Sequence, residues 1–258
     1  MALFSARLDE TGTDGRSKFT LVGGAVAPPE GWDALEAGWG ALLKKSGVTA
    51  YHWKEFHDPQ NGTFGPWSKM KRERFVTAQE KIIGKCTSFR VAVGVDQAVH
   101  ADVKRRMKGI KGFRPDSDYS LCLRWLMFWT CEELAKVDPD CRLSIMVEDG
   151  PWASGAMDTY QRIAAMTGKR KPAKHAHRLA GFGSAPKGER LSLEAADYIA
   201  GCSLGRLIAG RERKSRDTLA VMLKKPLLDQ WYEGMIAEKE ARREFARKRK
   251  ATSSEQSS

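Results

Sequence analysis

The chain has no Cys-x-x-Cys pair, no internal repeat, no Pro/Gly/Ser-rich linker and no apolar run long enough to span a membrane. Its five cysteines, Cys86, Cys122, Cys131, Cys141 and Cys202, are odd in number and widely spaced. That pattern argues against a disulfide framework or a zinc site, and the expectation is reduced, mostly buried thiols. The longest apolar stretch, Leu121 to Cys131, is broken by Arg124 and falls short of the roughly 20 residues a helix needs to cross a bilayer. Residues Met1 to Arg7 lack a basic segment followed by an apolar one, so no secretory signal is expected and the reading is a cytoplasmic protein. No strand leads into a Walker-type or G-x-G-x-x-G sequence, which leaves nucleotide binding by a phosphate loop without support. The expected organisation is one domain over residues 1–236, then a basic helical extension and disordered tail over 237–258.

What the chain has in excess is positive charge, with 44 Lys and Arg against 32 Asp and Glu and a net +12. Residues 237–258 hold seven Lys or Arg against four Glu, so most of the excess lies on the body of the protein. A basic body suggests a polyanionic partner, with nucleic acid, DNA or RNA, the commonest. Two stretches concentrate the charge: Lys104, Arg105, Arg106, Lys108, Lys111 and Arg114, and then Lys169, Arg170, Lys171 and Lys174 running into His175, His177 and Arg178. Each reads either as a solvated loop or as a phosphate-tracking patch. His175 and His177 could share one face of a strand but lack a third ligand at metal spacing, and are read as surface or substrate-contact residues.

The apolar run Leu3 to Leu8, the acids Asp9 and Glu10, and Gly12 and Gly15 before a second apolar run to Val26 predict a β-hairpin. Alternation sends Asp9 and Glu10 to opposite faces, and Asp9 is the favoured site residue. Helical spacing of Trp32, Leu35, Trp39, Leu42 and Leu43 predicts a helix ended by Gly47. Val48 to Trp53 reads as a short strand or extended segment leading to Glu55, and Asp58 to Trp67 as a loop. Ser68 is expected to cap a helix to about Lys85. Ser88 to Asp96 predicts a strand with Phe89, Val91, Val93 and Val95 on one face. Asp118 can cap a buried helix to about Lys136. Leu143 to Val147 predicts a core strand ending in Glu148-Asp149-Gly150, which repeats the opening pattern. A helix over about Ala153 to Thr167, a loop over Gly181 to Gly188, and a helix capped by Ser192 with Glu194 and Asp197 on one face follow. From Asp217 onward a helical region broken at Pro226 is expected. The order predicts a mixed α/β sheet covered by helices.

Asp9 and Asp149 both end apolar strands, and Asp197 lies on a late helix that could pack beside them. Carboxylates gathered without Lys or Arg partners repel, so such a cluster is stable mainly when divalent cations neutralise it. Two such ions about 3.5 to 4 Å apart are the machinery for attack of water on a phosphodiester.

The motifs Leu8-Asp9-Glu10-Thr11-Gly12, His52-x-x-Glu55, Val147-Glu148-Asp149-Gly150 and Leu193-Glu194-Ala195-Ala196-Asp197-Tyr198-Ile199-Ala200-Gly201 together resemble the bacterial and phage proteins called domain of unknown function 3800. The resemblance covers about residues 3 to 205. It implies a ribonuclease H-like fold in which acids on the first strand, an intervening element, a central strand and a final helix bind two Mg²⁺ or Mn²⁺ ions. Carried over by position, Asp9, Glu55, Asp149 and Asp197 would be the ligands, with Glu10 and Glu148 as substitutes. Two departures stand out: Thr11 replaces the common Ser and keeps its hydroxyl, and Glu194 replaces the common Gln and adds charge near the metals. His52 could position the water or a proton, and a structural place is favoured over that. The implied activity is a metal-dependent nuclease, and the alternative is a non-catalytic nucleic-acid-binding or host-interaction protein on the same fold.

Overall fold

The computed structural model describes every residue except 1, 14, 16, 59–61, 111–114, 167–172, 212, 216–217 and 256–258, and the backbone alone for 173, 213–215, 238–239, 242 and 245–255. The first two apolar runs form the expected hairpin, β1 (Leu3–Thr11) and β2 (Phe19–Ala27), with Asp9 opposite Gly23. Helix α1 (Pro29–Ser46) buries Trp32, Leu35, Trp39 and Leu43 and ends at Gly47, whose φ of 74° is left-handed. The one-turn α2 (Trp53–His57) precedes α3 (Lys69–Cys86), which Ser68 caps by accepting from the Lys71 N–H at 3.3 Å. Strand β3 (Phe89–Asp96) sends Phe89, Val91, Val93 and Val95 into one core, as alternation predicts. Helix α4 (Gln97–Arg106) and the long α5 (Asp118–Val137) follow; Ser117 caps α5, one residue before the expected Asp118. The rest is β4 (Arg142–Glu148), α6 (Ala153–Ala164), a 3-10 turn (Ala173–Arg178), β5 (Leu179–Ala185), a second 3-10 turn (Lys187–Glu189), α7 (Leu191–Ile208), β6 (Arg213–Ser215), β7 (Thr218–Leu223) and α8 (Lys225–Glu255).

All the strands join one mixed sheet in the order β5-β4-β1-β2-β3-β7-β6. Strands β1, β4 and β5 run parallel, as do β3 and β7, while β2 is antiparallel to both of its neighbours. Side chains alternate across the sheet, so each face needs its own cover. Ala6, Leu8, Val22, Val26, Ile145 and Val147 pack with α5 and with Leu228 and Tyr232 of α8. On the other face Ala25 and Ala27 meet α1, α3 and α7, and Leu21 and Ala92 meet Ala200 and Leu207 of α7. The result is the predicted mixed α/β sheet flanked by helices. The five cysteines are free, three of them buried. Among the described residues no helix is long and apolar enough to cross a membrane.

Some local expectations give way to tertiary demands. Val48 to His52 forms no strand, because the Tyr51 N–H donates to the Glu194 carboxylate of α7 and not to a neighbouring strand. Gly181 to Ala185, read as loop, is part of edge strand β5, which pairs with β4 alone. Glycine weakens a strand without forbidding one. Residues 218–223, read as helix, form β7 beside β3. Pro226 starts α8 and does not break it; a first-turn proline gives up no intrahelical bond. Ser192 lies inside α7, with Arg190 at the cap position, and donates to Glu36 at 2.7 Å. His175 and His177 lie on a 3-10 turn and not a strand. The backbone of α8 continues to Glu255, into the tail expected to be disordered.

Candidate functional site

Strand register alone brings two of the acids together. Leu8 of β1 pairs with Val147 of β4 in parallel, and both point into the α5 core, so the next residues, Asp9 and Glu148, turn to the opposite face side by side. The carboxyl ends of parallel strands are where open α/β sheets build sites. The third acid comes from α7. An added Cβ at Gly23, the partner of Asp9, would lie 3.1 Å from the Ala200 Cα, so α7 rests almost directly on β2 at that point. Asp197 is one turn back along the same helix face and therefore reaches β1.

The three carboxylates meet at one atom, the Lys187 ammonium nitrogen. It lies 3.1 Å from Asp9 Oδ2, 2.9 Å from Glu148 Oε2 and 3.3 Å from Asp197 Oδ2. Lys187 sits two residues past β5, whose Ala185 pairs with Glu148. The Asp9 side chain is only 4% exposed, and its second oxygen accepts from the Glu10 N–H at 2.8 Å. Burial pushes the Asp9 carboxyl well above the usual range against the pull of Lys187, and Asp197, Glu10 and Glu148 add to the rise. Burial also raises Glu10, with Glu148 adding to it. For Lys187, burial disfavours the charge, but the carboxylates of Asp9, Asp197 and Glu148 outweigh it and hold the ammonium above its ordinary value. One ammonium against three carboxylates leaves a formal excess of two negative charges.

No family model, curated protein or solved structure matches the chain. Its chemistry has to be read from the side chains. Among the described residues no group of three or more His, Cys, Asp or Glu is set to hold a metal ion. The Asp9, Glu148 and Asp197 oxygens are hard donors of the kind magnesium takes, but they converge at ammonium distances and not at the roughly 2.0 to 2.1 Å of a magnesium shell.

The remaining expected ligands are elsewhere. Asp149 is exposed, its N–H bonded to the Ala185 carbonyl at 2.9 Å; strand parity gives the cluster Glu148 in its place. Glu55 is exposed on α2 and lies against Gly62. Glu194 is buried, and one of its oxygens accepts from Trp39 Nε1 and from the Tyr51 N–H, both at 3.0 Å. It fastens residues 48–52 to α7, and burial raises its carboxyl against those two bonds. Protons are then bound more tightly in the folded state, so its contribution is full below the unfolded value and lost as pH rises through the folded one. A Gln oxygen can accept the same two bonds without charge. Glu194→Gln is expected to match wild type at low pH and exceed it in thermal stability at neutral pH, with metal response unchanged.

Asp197 is also tied to α2, since its Oδ2 accepts from the Trp53 N–H at 2.9 Å. The Trp53 ring lies flat against Gly201, where an added Cβ would fall 2.1 Å from the ring. Glycine closes the helix motif because an indole occupies the space of its side chain. Gly201→Ala should therefore lower unfolding free energy by about 1 to 3 kcal/mol through overpacking, measured by urea denaturation, and loosen the Trp53–Asp197 bond.

The basic stretches are less free than their sequence implies. Lys104 bonds Asp118 at 2.7 Å, Arg105 pairs with Asp102, and Arg106 pairs with both Asp102 and Asp229. Helix α4 thus spends much of its charge on its own neighbours, while Lys108 just beyond it is exposed. Burial raises the Tyr119 hydroxyl on the first turn of α5, with Glu10 and Asp9 adding to the rise, and Lys104 pairs with the neighbouring Asp118. Lys174 is exposed but precedes the start of β5, about 20 Å of strand from Ala185 and the cluster. Arg178 is buried and donates to the carbonyls of Pro139 and Cys141, a structural role in place of phosphate contact. Lys111, Arg114, Lys169, Arg170 and Lys171 lie outside the described residues.

Proposed function

We propose that the chain is a divalent-metal-dependent nuclease of the ribonuclease H-like kind, hydrolysing phosphodiester bonds at the Asp9, Glu148 and Asp197 cluster. The observation that carries this reading is the convergence of those carboxylates, from the first strand, a central parallel strand and the sheet-packed helix α7, on one cation. Three of the four acid-bearing elements that the family resemblance implies are represented, with Glu148 in place of Asp149 and without Glu55 of the intervening element. Asp9, Glu148 and Asp197 would hold Mg²⁺ or Mn²⁺, and Glu10, on the opposite face of β1, would add negative potential. When bound, the metal supplies a water activated at neutral pH and charge stabilisation at the leaving oxygen. The protein's own part is to hold the carboxylates. The Glu10 N–H orients Asp9 and the Trp53 N–H orients Asp197. Lys108 and the exposed Arg105 would meet substrate phosphates, giving salt-sensitive binding.

The test incubates the protein with labelled single- and double-stranded DNA and RNA, with and without Mg²⁺ or Mn²⁺. Metal-dependent cleavage that Asp9→Asn abolishes is the expected result; wild type and variant behaving alike on every substrate would sink the reading. One observation favours the second reading, a nucleic-acid-binding protein whose acids are structural: Lys187 already neutralises part of the cluster. That reading expects salt-dependent binding, no cleavage and no thermal shift with Mn²⁺.

A further inference from the structure

Lys187 bonds to three carboxylates from β1, β4 and α7 with 13% of its side chain exposed, a setting unlike that of a surface lysine. An ammonium is a compact charge on a flexible four-carbon stem, able to withdraw without moving the backbone that carries it. The backbone here is a three-residue 3-10 turn between Pro186 and Arg190, outside both β5 and α7. The Asp9 and Asp197 carboxylates, by contrast, are held by the Glu10 and Trp53 N–H groups, and strand register places Glu148 beside Asp9. A cation on a flexible stem therefore sits among anions that the fold brings together.

We propose that Lys187 is an internal counter-ion that holds the carboxylate cluster together in the metal-free protein and competes with the divalent metal for it. This deepens the nuclease reading and rests on it. Loading the metal requires the ammonium to leave, so Lys187 sets the metal concentration at which the site fills. Only the ion pairs to Asp9, Glu148 and Asp197 break, and the charge passes from one cation to another.

Isothermal titration of Mn²⁺ alone into the full chain tests this without reference to activity. Lys187→Met is expected to bind Mn²⁺ at least tenfold more tightly than wild type, and to show the larger rise in Tm on adding Mn²⁺ despite a lower Tm without it. Asp9→Asn in the same background should remove that binding. Equal affinity in wild type and Lys187→Met, or weaker binding by the variant, would overturn the competition while leaving the metal reading intact. No Mn²⁺ binding by any form would overturn both. Should Lys187→Met fail to fold, the same comparison between Glu148→Gln and Glu148→Gln/Lys187→Met carries the test, because the removed carboxylate lessens the repulsion that Lys187 relieves.

Discussion

Asp9→Asn should reduce metal-dependent hydrolysis by about 10³-fold or more while the protein stays folded. A metal-binding carboxylate supports several kcal/mol of charge stabilisation in such chemistry, and each 1.36 kcal/mol is tenfold in rate. Asparagine has nearly the shape of aspartate, so the oxygen that accepts from the Glu10 N–H is kept. What is lost is one charge beside Lys187. That loss also relieves repulsion with Asp197, Glu10 and Glu148, which together with burial drives the Asp9 carboxyl up. The two effects on stability oppose each other, and Tm should move little. Asp149→Asn is the matched control: the residue follows β4 directly, beside Glu148, but is exposed. Its hydrolysis rate should stay close to wild type. Equal damage from both variants would return Asp149 to the site.

The contrast between Asp9 and Asp149 shows what a sequence makes legible. The opening hairpin, α1, α3, β3, α5 and β4 could be read from periodicity because each buries a face whose spacing is local. Strand parity was legible too. Leu143, Ile145 and Val147 mark the core face of β4, which puts Glu148 opposite, just as Ala6 and Leu8 put Asp9 opposite. Matching those parities, and not taking the last acid before glycine, selects Glu148. Lys187 was not legible, because its role depends on β5 pairing with β4, and the glycine-rich sequence of β5 resembles a loop. Glu194 and Gly201 were visible as motif positions, but their partners Trp39, Tyr51 and Trp53 are more than a hundred residues away in sequence. The charge of α4 was visible as well, and its neutralisation by Asp118 and Asp229 was not, since those acids come from other helices.

Arg124→Met is expected to destabilise the protein by about 3 to 5 kcal/mol, the effect of leaving a buried charge without its partner. Arg124 interrupts the apolar helix α5 and is buried there, its Nε and Nη2 each 2.8 Å from an Asp116 oxygen. The two side chains are 2% and 3% exposed. Methionine fills the space of the stem, but among the described residues the ion-pair partner left to Asp116 is the half-exposed Arg162 at 3.9 Å. For a chain of this size the loss is on the order of 10 °C in Tm. The double variant Asp116→Asn/Arg124→Met removes both charges, and replacing a buried pair outright is often neutral. It should recover most of the single variant's loss, and a double-mutant cycle reads the coupling directly. The pair also anchors the approach to α5, whose first turn carries Tyr119; burial raises the Tyr119 hydroxyl, and Glu10 and Asp9 add to the rise. On α8, Tyr232 meets His100 at 2.7 Å, while His100 bonds Asp118 at 2.6 Å. Asp116 lies two residues before Asp118, so releasing it should loosen α4, α5 and α8 together, and with them Lys104, which pairs with Asp118. In Arg124→Met, substrate affinity should fall along with stability, and in the double variant both should return. Stability returning without affinity would show that the α4–α5 connection takes no part in substrate binding.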